Sequence, residues 1–229
     1  NEFDLTKDDF MAIIKAINSY VYRRSIVGIP TNSLNKTFAV LYNSINKNDY
    51  KNSVLATLVL LDSYKKFPKD SEFEEAFSNK DIFTTRLKNY TLEKLENDNH
   101  LNGIKIDGNN ISVEHILPQT ETLKLHWQEV LGDDWDNLQK SNMHRIGNLT
   151  ITKGKYNSEM SDLPFLKKIN VEGGISHSHY RLSDSVINEI NEYGTIKLNE
   201  LGEPIKRKSW TIDDIELRSN VLARKATKI

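Results

Sequence analysis

Three polar side chains in the middle of this 229-residue chain form a candidate site for metal-assisted hydrolysis. Glu114 and His115 are adjacent, and Asn157 follows much later in the sequence. A hard divalent cation such as Mg²⁺ prefers oxygen ligands and typically takes only one or two of them from the protein. Glu114 and the amide oxygen of Asn157 could supply these. A neutral imidazole can take a proton from an attacking water near neutral pH, and the cation would stabilise the charge that develops on a phosphate. These residue types therefore favour phosphodiester cleavage, with His115 as the base.

The segments that carry these residues predict a strand, a long loop, a second strand and a short helix. Residues 111–117 alternate apolar and polar side chains, which is typical of a strand, and Pro118 ends it because proline has no N–H to give to a ladder. Residues 148–152 are rich in β-branched and apolar side chains, and Gly154 indicates a turn before a helix over 155–161. Adjacent strand residues face opposite ways, so Glu114 and His115 can share a site only near the end of the strand.

The motif that these residues form resembles that of a known nuclease family. Glu114-His115-Ile116-Leu117-Pro118, then Gly147-Asn148-Leu149 and then Asn157 are similar to the HNH (His-Me finger, ββα-metal) nucleases. More narrowly, they resemble the C-terminal part of GmrSD-type modification-dependent restriction enzymes. Met160-Ser161-Asp162 departs from that family, which has a small residue, Ser and Asn there, so no polar role is predicted for Asp162. Other stretches resemble the family's flanks and extend the resemblance over nearly the whole chain: Arg23-Arg24, residues 30–36, Trp210-Thr211, Ile215 and Arg218.

The resemblance implies a role for each motif residue. His115 would be the general base, Glu114 and Asn157 would bind one Mg²⁺ or Mn²⁺, and Asn148 would hold the histidine in place. It implies a metal-dependent DNA endonuclease that nicks one strand per site, so double-strand cleavage would need a homo-oligomer. It also implies a prokaryotic, cytoplasmic anti-phage or modification-dependent restriction system. In that system an N-terminal nucleotide-handling and sensor domain, absent from this chain without an initiator Met, would complete the protein.

Other interpretations of the same residues remain open at this point. Taken singly, His115 could be a core histidine, Glu114 a solvated strand residue, and both asparagines turn formers. The alternative for the whole chain is a non-catalytic DNA-binding or assembly module with a degenerate HNH fold, although the presence of all four motif residues argues against decay. A serine or cysteine hydrolase is excluded, because the sequence has neither a Gly-x-Ser-x-Gly elbow nor a cysteine.

Composition narrows the class of protein and of partner. A hydrophobic share of 38% with 28% charged residues predicts a soluble folded chain, and no apolar run is long enough for a membrane span. The absence of cysteine excludes disulfides and a Cys-ligated zinc. The net charge of −1 is not that of a strongly basic DNA-binding domain, so contacts with DNA must come from local basic clusters.

Basic residues beside the motif are the candidates for those DNA contacts. Lys153 and Lys155 lie next to the predicted metal site, where the scissile phosphate must be. Arg145 is a candidate because its fork matches two phosphate oxygens and stays charged. His144 could either contact a phosphate or anchor the loop before the second strand. The predicted DNA-binding residues are therefore His144, Arg145, Lys153 and Lys155.

Helical patterns surround this segment and predict the α+β class, with a mostly helical domain enclosing a small ββα-metal core. We expect a helical subdomain over 1–100, the nuclease core over 101–170, and a C-terminal helical subdomain over 171–229. These should pack as one body, because no Pro/Gly-rich linker separates them. A hairpin is predicted between residues 104–106 and 111–113, around Asp107-Gly108-Asn109-Asn110. Predicted helices begin near Thr6 and Thr211 and cover 49–66, 82–97 and 184–193.

Overall fold

The computed structural model of the protein describes residues 5–97 and 103–229. Helices dominate these residues, and the strands among them form one two-stranded antiparallel sheet, so the α+β prediction is confirmed. The chain divides into two compact units, with the boundary between Ala76 and Phe77. The predicted nuclease core and the predicted C-terminal subdomain fall in the same unit, and the sequence had placed the first boundary near residue 100. Among the described residues, no helix combines the length and the apolar character needed to cross a membrane.

The first unit is built from helices α1 (Lys7–Val27), α2 (Leu34–Leu41) and α3 (Tyr50–Leu60), and α4 (Asp70–Asn79) begins in it. Thr6 and Asp9 form the capping box that the sequence predicted for α1. The helix ends at Gly28, whose φ of 84° lies in the left-handed region that favours glycine. Helix α3 ends at Leu60, earlier than the predicted 49–66.

The two arginines in the last turns of α1 tie loops of the same unit together. Arg23 Nη1 lies 2.6 Å from Asp70 Oδ1 and donates to the carbonyl oxygen of Pro68. Arg24 is 1% exposed and donates to the carbonyl oxygen of Tyr64 and to Ser33 Oγ. Both guanidinium groups therefore stabilise the fold of the first unit.

The second unit contains the sheet and the helices around it. Strand β1 (Ile111–His115) pairs with β2 (Leu149–Lys153), with Glu114 opposite Thr150 and His115 opposite Leu149. The core cluster of this unit includes Ile116 and Leu117, which directly follow β1, together with Trp127, Phe165 and Trp210. The helices of this unit, in chain order, are α5 (Lys88–Asn97), α6 (Leu125–Leu131), α7 (Trp135–Asn142), α8 (Gly154–Met160), α9 (Phe165–Asn170), α10 (Arg181–Ile187) and α11 (Ile212–Ala226).

The hairpin predicted before β1 does not form. The N–H of Ile104 donates to Asn97 Oδ1, and that of Ile106 donates to Glu93 Oε1. Residues 104–106 are therefore bonded to side chains of α5 and do not pair with β1. The predicted turn is nevertheless present, since the Asp107 carboxylate accepts from backbone N–H groups up to Ile111. These bonds lower the pKa of Asp107 to about 2. Side chains of α5 have therefore replaced a second strand as partners of residues 104–106.

Two predicted helices of the second unit are also shorter in the structure than in the sequence pattern. Helix α5 begins at Lys88, because the N–H groups of Ile82 and Phe83 donate to the carbonyl oxygen of His144 instead. The helix predicted over 184–193 ends at Ile187. Beyond it the backbone forms isolated antiparallel bridges, among them one between Ile190 and Ile196. Long-range pairing has overridden helical spacing in both places.

Arg218 of α11 fixes the entry to β2. The side chain is fully buried, and it donates to the carbonyl oxygens of Gly147 (2.6 Å), Leu149 (2.8 Å) and Leu182 (2.9 Å) and to Ser185 Oγ (2.9 Å). Burial, with a smaller contribution from the charge of Arg207, lowers the pKa of Arg218 to about 9. The group is therefore still charged at neutral pH, and carbonyl dipoles solvate it in place of water.

We predict that Arg218→Ala lowers the free energy of unfolding by roughly 3 kcal/mol or more, because several buried acceptors lose their donor together. Urea unfolding followed by circular dichroism measures this change. Lys225→Ala, which removes an exposed cation from the same helix, should change stability by less than about 0.5 kcal/mol. Equal effects of the two substitutions would contradict the structural role of Arg218.

Candidate active site

The carboxylate of Glu114 lies inside the protein, near the end of β1. It is 3% exposed, and Lys168 Nζ of α9 donates to its Oε1 at 2.6 Å. The same Nζ donates to the carbonyl oxygen of His115 at 2.7 Å. Burial raises the pKa of the Glu114 carboxyl, and the Lys168 ammonium opposes that rise. Lys168 therefore contacts two adjacent motif residues at once.

The imidazole of His115 packs edge-on against two aromatic rings, those of Phe83 and His144. Its Nε2 is 3.1 Å from His144 Nδ1, and its ring centroid is 4.4 Å from that of Phe83. Phe83 also stacks on His144, with the two planes 13° apart. Burial lowers the pKa of His115 to about 3, and the charges of His144, Lys168 and Lys88 contribute smaller effects. The imidazole is therefore neutral at pH 7, the form that can accept a proton.

Asn157 connects α8 to the middle of β1. Its Nδ2 donates to Ser112 Oγ and to the carbonyl oxygen of Val113, both at 2.9 Å. A carbonyl oxygen can only accept, so the Val113 bond fixes which end of the amide faces the strand. Within the described residues, these bonds commit the nitrogen of the amide and leave Oδ1 available.

Asn148 holds the backbone just beyond His115. The side chain is fully buried, and its Oδ1 accepts from Leu117 N (2.7 Å) and from Trp210 Nε1 (3.1 Å). Its Nδ2 donates to the carbonyl oxygens of Leu117 (2.9 Å) and Met143 (2.8 Å). The loop that leaves β1 is thus fixed two residues after the histidine.

Strand β1 carries both Glu114 and His115, but their side chains lie on different faces of the sheet. Strand alternation and register place Ser112, Glu114 and Thr152 on one face. The buried Thr152 Oγ1 on this face has no hydrogen-bond partner among the described residues. The imidazole of His115 is instead beside Phe83 and His144. The structure records no direct contact between that imidazole and the Glu114 carboxylate, and Lys168 contacts both residues.

Comparison with known proteins identifies the family. A family model described as "GmrSD restriction endonucleases, C-terminal domain" matches residues 67–225. The chain belongs to this family. No significant match was found among curated proteins or among solved structures. Membership places the second unit, which holds the motif, within a domain of restriction endonucleases, a class of nuclease whose substrate is DNA.

Two of the four basic residues predicted to bind DNA are exposed in this GmrSD C-terminal domain. Lys153 and Lys155 flank Gly154 at the start of α8. Lys155 Nζ lies 4.5 Å above the Tyr156 ring, and the hydrogen bond to that residue raises the pKa of Lys155. Both lysines line an open pocket of about 430 Å³, whose other lining residues are Asn109, Asn110, Ile111, Gly154 and Tyr180.

The other two predicted DNA contacts already have partners inside the domain. Arg145 is 9% exposed and donates to the carbonyl oxygen of Ser78 (2.9 Å) and to Asn142 Oδ1 (2.8 Å), with Glu216 at 3.5 Å. His144 is half-buried against His115. Contacts of these two residues with DNA stay predictions, and the structure shows what each side chain holds without DNA.

Lys168 and Phe83 are the neighbours of the motif that sequence reasoning missed. The spacing of Phe165, Lys168 and Ile169 puts them on one face of a helix, and that spacing could have indicated a buried lysine. Phe83 has no such signal, because it reaches His115 only through the pairing of residues 81–83 with the His144-Arg145 backbone. Both contacts connect segments that are far apart in the sequence.

We predict that Asn148→Ala costs about 3 kcal/mol of folding stability, since four buried polar partners lose their bonds together. It should also change the fluorescence of Trp210, whose indole N–H loses its acceptor. Thermal and urea unfolding measure the first effect. The matched control is Asn137→Ala, which removes an exposed asparagine whose side chain donates to nearby Asp134. A stability loss no larger than that of the control would contradict the proposed support of the loop.

Proposed function

We propose that this GmrSD C-terminal domain is an HNH-type, metal-dependent DNA endonuclease with His115 as its general base. The observation that carries the proposal is a buried imidazole at the end of β1, on the residue that follows the buried carboxylate of Glu114. Strand β2 and helix α8, which carries Asn157, then follow in the order of a ββα unit. Family membership supports the nuclease activity, and this arrangement supports the choice of residues.

Glu114 and Asn157 offer the donor set that a hard cation prefers. One carboxylate oxygen bonds to Lys168, which leaves Oε2, and the Asn157 amide leaves Oδ1. The Thr152 hydroxyl on the same face, which has no partner among the residues that the structure describes, adds a further oxygen for a bound water. The described part of the chain contains no group of three His, Cys, Asp or Glu side chains placed to hold a metal ion, so the protein would supply only these oxygen ligands. This fits Mg²⁺ or Mn²⁺, which keeps several waters, and the ion would supply charge stabilisation at the phosphate and the leaving oxygen.

The base role of His115 selects one tautomer of the histidine pair. If His115 Nε2–H donates to His144 Nδ1, then His115 Nδ1 has a lone pair for a water proton. The water oxygen bonds to phosphorus as its proton moves to Nδ1. The bond from phosphorus to the 3′ oxygen then breaks, and that oxygen takes a proton from solvent. The products are a 5′-phosphate and a 3′-hydroxyl, and His144 keeps the tautomer required of its neighbour.

The DNA backbone would approach from the exposed lysines at the start of α8. Lys153 and Lys155 are the two predicted DNA contacts whose charges face solvent, and point charges of this kind position phosphates without reading sequence. A prokaryotic, cytoplasmic restriction system, an N-terminal sensor domain and a homo-oligomer that cuts both strands complete the proposal. These elements follow from the family resemblance alone.

We predict that purified protein nicks supercoiled plasmid with Mn²⁺ or Mg²⁺ and that EDTA abolishes the reaction. His115→Ala should lower the nicking rate by about a hundredfold or more, which is the usual contribution of a general base. The control is His177→Ala, which removes an exposed histidine and should leave the rate unchanged. Agarose gels that separate supercoiled from open-circular plasmid measure each rate.

Cleavage that persists in His115→Ala would remove the histidine from the mechanism. Cleavage that EDTA does not affect would remove the metal. DNA binding without any cleavage, in every metal tested, would favour the alternative of a non-catalytic DNA-binding module.

We further predict that Lys153→Ala/Lys155→Ala weakens DNA binding and makes it less sensitive to salt. The slope of log K against log salt should become shallower by about 2, because each lost phosphate contact contributes about 0.9. Fluorescence anisotropy with duplex DNA in EDTA, in a His115→Ala background, measures the slope without cleavage. Lys225→Ala/Lys228→Ala removes the same charge from the exposed C-terminal end, and an equal change of slope there would contradict a local contact.

A further inference from the structure

Lys168 lies where the Glu114 carboxylate needs a positive charge. Lys168 is 0% exposed, Glu114 is 3% exposed, and their charged atoms are 2.6 Å apart. A charge taken out of water must be compensated within the protein. Glu114 therefore has its counter-ion in the fold itself, before any divalent cation is considered.

A second contact holds the ammonium group independently of the carboxylate. Lys168 Nζ donates to the carbonyl oxygen of His115, a backbone atom, and β1 pairs with β2 at that residue. Lys168 is thus anchored to the strand whether or not Glu114 has another partner. The pair that faces an incoming cation has no net charge.

Other charged groups near Glu114 and Lys168 do not change the net charge of this pair. Asp162 acts on Lys168 at longer range, but its carboxylate is 3.6 Å from the ammonium of Lys124. On the histidine side, Lys88 adds a positive charge above the Phe83 ring. Within the described part of the chain, no neighbouring carboxylate therefore replaces the charge that Lys168 neutralises.

We propose that Lys168 competes with the divalent metal for Glu114 and thereby makes tight metal binding depend on DNA. This inference rests on the proposed function, in which Glu114 is a metal ligand. The ammonium repels a second cation at the same carboxylate, so the metal binds weakly to the free protein. A DNA phosphate adds the missing negative charge. By linkage, metal and DNA then strengthen each other's binding by the same factor.

The test is Mn²⁺ affinity, measured by electron paramagnetic resonance in the full chain with a His115→Ala background that keeps DNA intact. Without DNA, Lys168→Met should bind Mn²⁺ at least tenfold more tightly than the parent. Lys167→Met, which removes the exposed neighbouring lysine, should bind Mn²⁺ as the parent does. Adding unmodified duplex DNA should strengthen Mn²⁺ binding at least tenfold in the parent and much less in Lys168→Met.

Weaker or unchanged Mn²⁺ binding in Lys168→Met would overturn the proposal, because a lysine that only orients Glu114 gives that result. Glu114→Gln distinguishes an error in the proposed metal ligand from an error in the proposed role of Lys168. If Glu114→Gln binds Mn²⁺ like the parent, the proposed metal ligand is wrong. If it loses Mn²⁺ but Lys168→Met shows no gain, only the role of Lys168 fails. Should Lys168→Met unfold in EDTA, Mn²⁺ must restore its circular dichroism, since the metal then supplies the missing charge; failure to do so also overturns the proposal.

Discussion

A two-stranded sheet with five residues in each strand is too small to be stable alone, and the rest of the second unit is arranged around that constraint. The strands have no third neighbour among the described residues. Helices therefore supply side chains that bond directly to the backbone of the sheet and of its loops. Arg218 comes from α11, Lys168 from α9 and Asn157 from α8. The geometry of the candidate site depends on these side chains more than on the ladder itself.

These stabilising bonds use buried polar groups, which makes them specific as well as strong. Each donor reaches one or more named carbonyl oxygens, so a change of register would leave a charge or an amide unsatisfied in the interior. Asn148 shows the principle most clearly, because all four of its bonds are made without exposure to solvent. The same principle applies to His115, which is buried. Its Nε2 has a ring nitrogen of His144 as its partner, and its ring packs against Phe83.

The sequence predicted the local elements around the motif because their signals are local. Alternation ended by Pro118, and β-branched residues ended by Gly154, placed β1, β2 and α8 to within about two residues. Prediction failed where distant segments decide the structure. Residues 104–106 are rich in isoleucine and were expected to pair with β1. Their backbone N–H groups instead donate to the side chains of Glu93 and Asn97 on α5. Residues 188–193 satisfy helical spacing, yet they pair with a later segment.

The candidate site was predictable in its residue types and less so in its surroundings. Glu114, His115, Asn148 and Asn157 were chosen from spacing and family resemblance, and their roles in catalysis stay predictions. Arg145 illustrates the limit of such reasoning, because a guanidinium fork suits a carbonyl and a carboxamide as well as it suits a phosphate. Only the fold shows that Ser78 and Asn142 are its partners. The charge state of Glu114 likewise depends on Lys168, which no local pattern joins to it.

The contact at Gly147 has a consequence for how this nuclease family can be dissected. A Cβ atom at Gly147 would lie 2.0 Å from the carbonyl oxygen of Ile215 and 2.4 Å from Ser219 Oγ. Backbone thus touches backbone where β2 begins, with no side chain between the strand and α11. An excised fragment covering only the motif would expose that contact to water and release the strand it holds. The minimal unit that can be transplanted into another protein must therefore run through the last helix.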